Sequence, residues 1–254
     1  MSVLRHPGYG TGIACGFGAG ALWGLVFLVP ELARGFTPLQ LACGRYFFYG
    51  LFSAVLLIPR IPVLRGHVSV REWRELFFLS LAGNTVYFIL LAAGVQAGGI
   101  AMTSIIVGAV PVPVMFAGSV MSARSPEGEA VPFARLVPFA AGLLPALPGF
   151  PLLSAGSGDV VHSAGAWLRF ALICAGVAVL ASMAGNALWN RASRLLPLTL
   201  SGQMILSETL SALIYGCLWN GRFLTLSEGL AFVCVVLSVI SCVGAHRRSR
   251  PAGT

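Results

Sequence analysis

Apolar and polar positions along the chain fall into long continuous apolar runs separated by short polar stretches. Eight runs, at about 12–33, 38–59, 76–96, 99–121, 133–153, 168–189, 198–219 and 224–245, each reach the roughly 20 residues a helix needs to cross a bilayer. A membrane β-strand would read instead as a segment of about ten residues with alternating character. The pattern therefore predicts an all-α, polytopic membrane protein of about eight transmembrane helices. The connections are short. The longest is the basic loop around Arg60–Glu75, read as a cytoplasmic anchor, and segments 122–132 and 154–165 are turn-rich connectors.

Composition agrees with this reading. Of 254 residues, 57% are hydrophobic and 9% charged, and the mean hydropathy is +0.88. A soluble domain carries about 25% charged residues. This chain has too few charges to cover a soluble surface, and it is too apolar to be disordered.

The net charge of +8 comes from 16 basic residues, all of them Arg. A basic excess can mark a nucleic-acid partner, but here the arginines sit in short loops between apolar runs. They report membrane orientation instead. With the N-terminus cytoplasmic, twelve arginines lie inside and three (Arg34, Arg169, Arg222) outside, while Arg45 falls within a span. That asymmetry requires an even number of spans with both termini cytoplasmic. The first apolar run is longer than a signal-peptide core and lacks a clear cleavage site, so it is read as a retained span. The expected partners are a lipid bilayer and a small molecule, without nucleic acid.

The six cysteines all lie in apolar runs and form no Cys-x-x-Cys pair, which is how small buried hydrophobes behave. The four histidines lie in loops or at span ends. Neither a disulfide, a metal site nor a cofactor is expected.

Chemistry is then limited to the few polar groups inside spans. Glu208 lies about ten residues into the seventh run, near the bilayer centre, where an acid is costly and by default functional. It would suit proton coupling, or it could serve as the structural partner of Arg45, about seven residues into the second run. Asn84 and Asn186 each follow Ala-Gly in a chain with four Asn. Such amides can contact a substrate or only bond another helix. Tyr87, Trp189, Asn190 and Gln203 lie nearby in sequence, and Trp23 and Tyr46 are candidates for the same cavity. Arg169 and Glu31, near span ends, are expected to snorkel. Gly12, Gly16, Gly20 and Gly24 share one face of the first span, so a neighbouring helix can approach closely, as a fixed seam or a sliding one. Pro111 and Pro113 kink or break the fourth span, either as a structural bend or as the broken helix of a transporter site.

The two Ala-Gly-Asn sites also suggest a repeat. Ala82-Gly83-Asn84 leads into the span ending at Pro111, and Ala184-Gly185-Asn186 leads through Ala192–Pro197 into the span holding Ser207-Glu208-Thr209. With these features the chain resembles the drug/metabolite transporter superfamily, specifically its EamA-type permeases. Ala21-Leu22-Trp23-Gly24 is similar to the family's opening signature, and Arg45 falls where many members have an Arg. The spacing from Ala192 to Glu208-Thr209 resembles the family's pattern, with Thr209 in place of Pro. The family has ten spans in two inverted repeats of five. The resemblance therefore implies an incomplete inverted repeat: a first repeat over 1–121, a connector with one span over 122–165, and a partial second repeat over 166–254, with an internal loss of about two spans.

The function so implied is an inner-membrane permease that exports a small metabolite of the amino-acid kind by alternating access. Glu208 would be the coupling group, and Trp23, Arg45, Asn84, Tyr87, Asn186, Trp189, Gln203 and Glu208 would contact the substrate. A second expectation is a shortened chain that does not transport, or does so only as a homo-oligomer. An enzyme is not expected, because no His-Glu-x-x-His, paired intramembrane Asp or Ser/His pair within spans is present.

Overall fold

The computed structural model describes residues 8–60, 70–109, 163–196 and 204–248. Apart from short connections such as 33–37 and 221–225 these residues are helical, with no strand among them. The predicted span 133–153, the second half of 99–121 with its two prolines, and Gln203 lie outside the described residues.

Helix α1 (Tyr9–Gly24) passes through a 3-10 turn (Leu25–Leu28) into the short α2 (Val29–Leu32). The chain then turns through Gly35 at a φ of 100°. Helix α3 (Pro38–Leu57) begins with a capping box, in which the Thr37 hydroxyl accepts the Gln40 N–H at 3.2 Å and the Gln40 side chain accepts the Thr37 N–H at 2.8 Å. Helix α4 (Val70–Ser80) runs through a π-helical segment (Leu81–Val86) into α5 (Tyr87–Ala109). Helix α6 (Ala164–Val177), capped by the Ser163 hydroxyl, continues through a second π-helical segment (Ala178–Gly185) into α7 (Asn186–Leu195). Helix α8 (Leu206–Asn220) ends on the left-handed Gly221, and α9 (Leu226–Arg248) follows.

Four helical stretches are long and apolar enough to cross a membrane: Gly10–Leu32, Pro38–Leu57, Leu81–Ala109 and Ala164–Leu195. The third is not one rod. Gly99 has a φ of 78° and a ψ of 172°, outside the helical region. A Cβ on Gly94 would lie 3.1 Å from the Thr103 side chain, whereas nine residues of straight helix would separate the two by about 13.5 Å. The chain folds back at Gly99, between the predicted runs 76–96 and 99–121.

Contacts between helices fix their relative directions. Along α1, Gly12, Gly16, Gly20 and Gly24 meet Leu196, Met204, Ser207 and Ser211 in that order, so α1 and α8 run parallel. Gly18 meets Leu188 while Trp23 meets Gly185, so α1 and α7 run antiparallel. Gly108 against Thr209 and Ile100 against Gly216 make the returning half of α5 antiparallel to α8. Alternating spans with the predicted numbering require these same directions.

The glycine face of α1 is buried along its length. A Cβ on Gly20 would lie 1.8 Å from the Ser207 hydroxyl oxygen and 2.9 Å from the Glu208 backbone nitrogen. Only a glycine lets the backbones approach this closely. The apolar core falls into two clusters. One is built on Phe27, Leu41, Phe88, Leu91 and Ile100, and the other on Ala192, Leu196 and Met204. Trp23, against the first, and Trp189, against the second, join them with ring centroids 5.3 Å apart. By contrast α4 and α9 leave Trp73, Phe77, Phe78, Leu230, Val233, Leu237 and Ile240 exposed. Apolar exposure on this scale fits contact with lipid and not with water.

Candidate functional site

The departures from regular helix fall where the polar residues sit. The π-helical segment Leu81–Val86 contains Asn84 and ends at Tyr87. The segment Ala178–Gly185 contains Ser182 and ends at Asn186. Helix α8 starts at Leu206, after a turn at Ile205, so Glu208 lies in its first turn. The 3-10 turn of the first span begins just after Trp23. π-Helical turns are rare and concentrate at functional sites, and both here coincide with an Ala-Gly-Asn sequence.

Arg45 is buried within α3. Its guanidinium donates to the Ser182 hydroxyl from Nε at 3.2 Å and from Nη2 at 3.1 Å. The same group lies 4.5 Å from the Phe88 ring centroid and 5.3 Å from that of Tyr46, the geometry of a cation held on aromatic faces. Arg45, Tyr87 and Glu208 are within electrostatic reach of one another. Yet Arg45 and Glu208 form no ion pair among the described residues. The structural role considered for Arg45, as direct partner of Glu208, is taken by Ser182 instead. Glu208 is half-buried, and its carboxylate has no hydrogen-bond partner among the described residues.

Packing places the acid. Gly20 meets Ser207 and the Glu208 backbone, and the Ser207 hydroxyl donates back to the Met204 carbonyl at 2.6 Å. Tyr215 ties the same two helices together by donating to the Ala21 carbonyl at 3.1 Å. On the other side of α1, a Cβ on Gly185 would lie 2.8 Å from Trp23 Nε1. Trp23, Trp189 and the Asn186 turn are thereby brought together.

Not every predicted residue joins this group. Asn84 is exposed on its π-helical segment. Tyr46 touches Arg45 but also packs edge-on against Phe88, at 6.2 Å between centroids. Two contributors went unpredicted. Ser182 and Phe88 carry no signal in a single sequence, since a serine or phenylalanine in an apolar run is ordinary. The nearest hint to Ser182 is its place two residues before Ala184-Gly185-Asn186.

A separate cavity of about 540 Å³ lies at the other end of the helices and is lined by Glu31, Leu32, Arg34, Arg169, Trp219 and Asn220. None of the interior residues lines it.

Comparison with known proteins identifies the chain's relatives. The model of the EamA-like transporter family matches residues 10–137, half of the chain. The chain is 23% identical to inner membrane protein YtfF of Escherichia coli (strain K12), in an alignment of 310 positions that takes in 92% of this chain and 95% of that protein. Those 310 positions exceed the 254 residues present here. The relative therefore carries stretches without a counterpart, together longer than two spans of about 20 residues. No solved structure matches the chain.

Proposed function

The chain belongs to the EamA-like transporter family and is a multi-pass membrane transporter of the drug/metabolite type, and from that premise we propose that it exports a small polar metabolite by alternating access. The substrate class we assign is amino acids and compounds of similar size, the membrane the inner one, with both termini cytoplasmic. One observation carries the reading. Arg45 and Glu208 bring opposite charges into the apolar interior, near one another but without an ion pair, beside helices that break at that level. Intramembrane charge that has no ion-pair partner, as here among the described residues, is expensive. It is retained where a substrate or a proton completes the balance.

In this reading Arg45, oriented by Ser182 and the Phe88 ring, faces the anionic end of the solute. Glu208 faces its cationic end and carries the coupling proton. Tyr87, Trp23, Trp189 and Asn186 form the walls. The glycine contact between α1 and α8 is where the two halves rock.

Counterflow in proteoliposomes with a pooled panel of labelled amino acids and small metabolites tests this directly. Saturable exchange, absent from empty liposomes, is the expected result. No exchange by folded, inserted protein would remove the reading. Reporter fusions at residues 66 and 158 test the sidedness; both reporting the same side would sink it.

A second reading is favoured by the alignment length alone. The stretches this chain lacks relative to YtfF are long enough to include cavity-lining helices. A chain so shortened would transport only as an oligomer, or not at all. An active monomer would exclude it.

A further inference from the structure

Three arginines fall on the side of the membrane that the charge count leaves poor in arginine: Arg34, Arg169 and Arg222. Two are neutralised locally. Arg34 pairs with Glu31, and Arg222 forms a two-pronged contact with Glu228, each hydrogen bond 2.7 Å long. Arg169 is different. It is exposed on the second turn of α6 and, among the described residues, has neither an ion pair nor a hydrogen bond.

Snorkelling accounts for the exposure of Arg169, but not for its surroundings. Arg169 forms part of the wall of the 540 Å³ cavity, together with Trp219 and Asn220 from the end of α8. Among the described residues the one carboxylate in that wall, Glu31, is already held by Arg34. The wall therefore carries one uncompensated guanidinium, a carboxamide and an indole. A guanidinium offers two parallel N–H donors that match a planar carboxylate. The amide adds a further donor, and the indole adds an apolar face with one N–H.

We propose that this cavity is a vestibule site for the carboxylate of a small solute, with Arg169 as its anchor and Asn220 and Trp219 as its supports. The inference rests on the transporter reading for the solute's passage between this mouth and the interior, but not for the binding itself. The phosphate of an anionic lipid offers similar oxyanion chemistry, so the test separates the two sources.

The full chain is placed in nanodiscs of phosphatidylcholine, with and without phosphatidylglycerol. It is titrated with sodium glutamate and sodium acetate, against sodium chloride at matched ionic strength. Tryptophan emission is read, and the contribution of Trp219 is isolated by difference with Trp219→Phe. A saturable change is expected in phosphatidylcholine, absent with chloride and in W219F. Arg169→Gln weakens it at least about tenfold, as loss of a charge-assisted hydrogen bond does. Arg169→Lys falls between, because it keeps the charge without the fork.

A wild-type protein that does not titrate, or R169Q titrating like the wild type, overturns the proposal. So does a Trp219 change produced by phosphatidylglycerol alone that then blocks the carboxylate, since the occupant is then a headgroup. The two readings fail separately. A wild type that titrates without counterflow leaves the site standing, and one that exchanges solute without titrating removes the site alone.

Discussion

Charge is handled in opposite ways at the mouth and in the interior of the described bundle. At the mouth, Arg222 meets Glu228 and Arg34 meets Glu31, as direct carboxylate pairs in reach of water. In the interior, where pairing would relieve the greatest electrostatic cost, Arg45 rests on a neutral hydroxyl and two aromatic faces, and Glu208 stands apart from it. The interior pair is held open by packing. α3 carries Arg45 onto the π-helical turn of the sixth predicted span, and the glycine face of α1 fixes the first turn of α8. Two of the three arginines at the mouth are closed into carboxylate pairs and Arg169 is left open among the described residues, whereas in the interior Arg45 and Glu208 both stay open to a ligand.

Neutralising the interior acid should break this contrast most severely. Glu208→Gln is expected to lower counterflow about a hundredfold, on the scale of a lost buried charged contact. What remains should no longer vary with pH. Unchanged pH dependence would refute the coupling role.

Gly20→Val comes next, because its side chain must displace Ser207 and the Glu208 backbone. Overpacking of this kind costs about 1–3 kcal/mol. A clear fall in Tm together with a loss of transport is expected, and a variant with wild-type Tm would mean that the seam is looser than its contacts imply.

Arg45→Gln should reduce exchange about ten- to thirtyfold. Arg45→Lys would recover part of this, because the charge returns without the fork that grips Ser182. Equal activity of the Lys and Gln variants would argue that shape and not charge matters there.

Ser182→Ala removes only the hydroxyl that orients Arg45, so a loss of about three- to tenfold is expected, seen chiefly in KM. At the small end, the double change Arg222→Gln with Glu228→Gln should alter stability by less than about 1 kcal/mol, the usual value of a water-exposed pair. Counterflow should hold within about twofold. A large effect there would erase the distinction between mouth and interior.

Much of this molecule was legible in advance. Two apolar runs match their helices closely: 38–59 is observed as Pro38–Leu57 followed by the turn Ile58–Arg60, and 224–245 as Leu226–Arg248. By contrast, 168–189 is observed over the longer Ala164–Leu195, and the helix of 76–96 begins at Val70, inside the stretch read as a loop. The glycines of α1 announced a close helix neighbour, because a repeat of four residues stays on one face. Arg45 and Glu208 stood out because ionisable groups are rare in apolar runs. Asn84 shows the limit of such reading. It shares its tripeptide with Asn186, yet it is exposed, whereas Asn186 lies beside the Trp23–Trp189 contact.

By itself, then, the sequence determined that the chain is helical, spans a membrane many times, and carries a few polar groups at the level of its interior. Those properties follow from the one-dimensional pattern, since the bilayer demands length and apolarity of each span separately. Which helix neighbours which, that Arg45 finds Ser182 and not Glu208, and that Arg169 has no partner among the described residues were decided only by the tertiary structure. Such facts join residues as far apart as Arg45 and Ser182, 137 positions in sequence. They depend on how glycines, rings and helix breaks fit together in space, which no local pattern encodes.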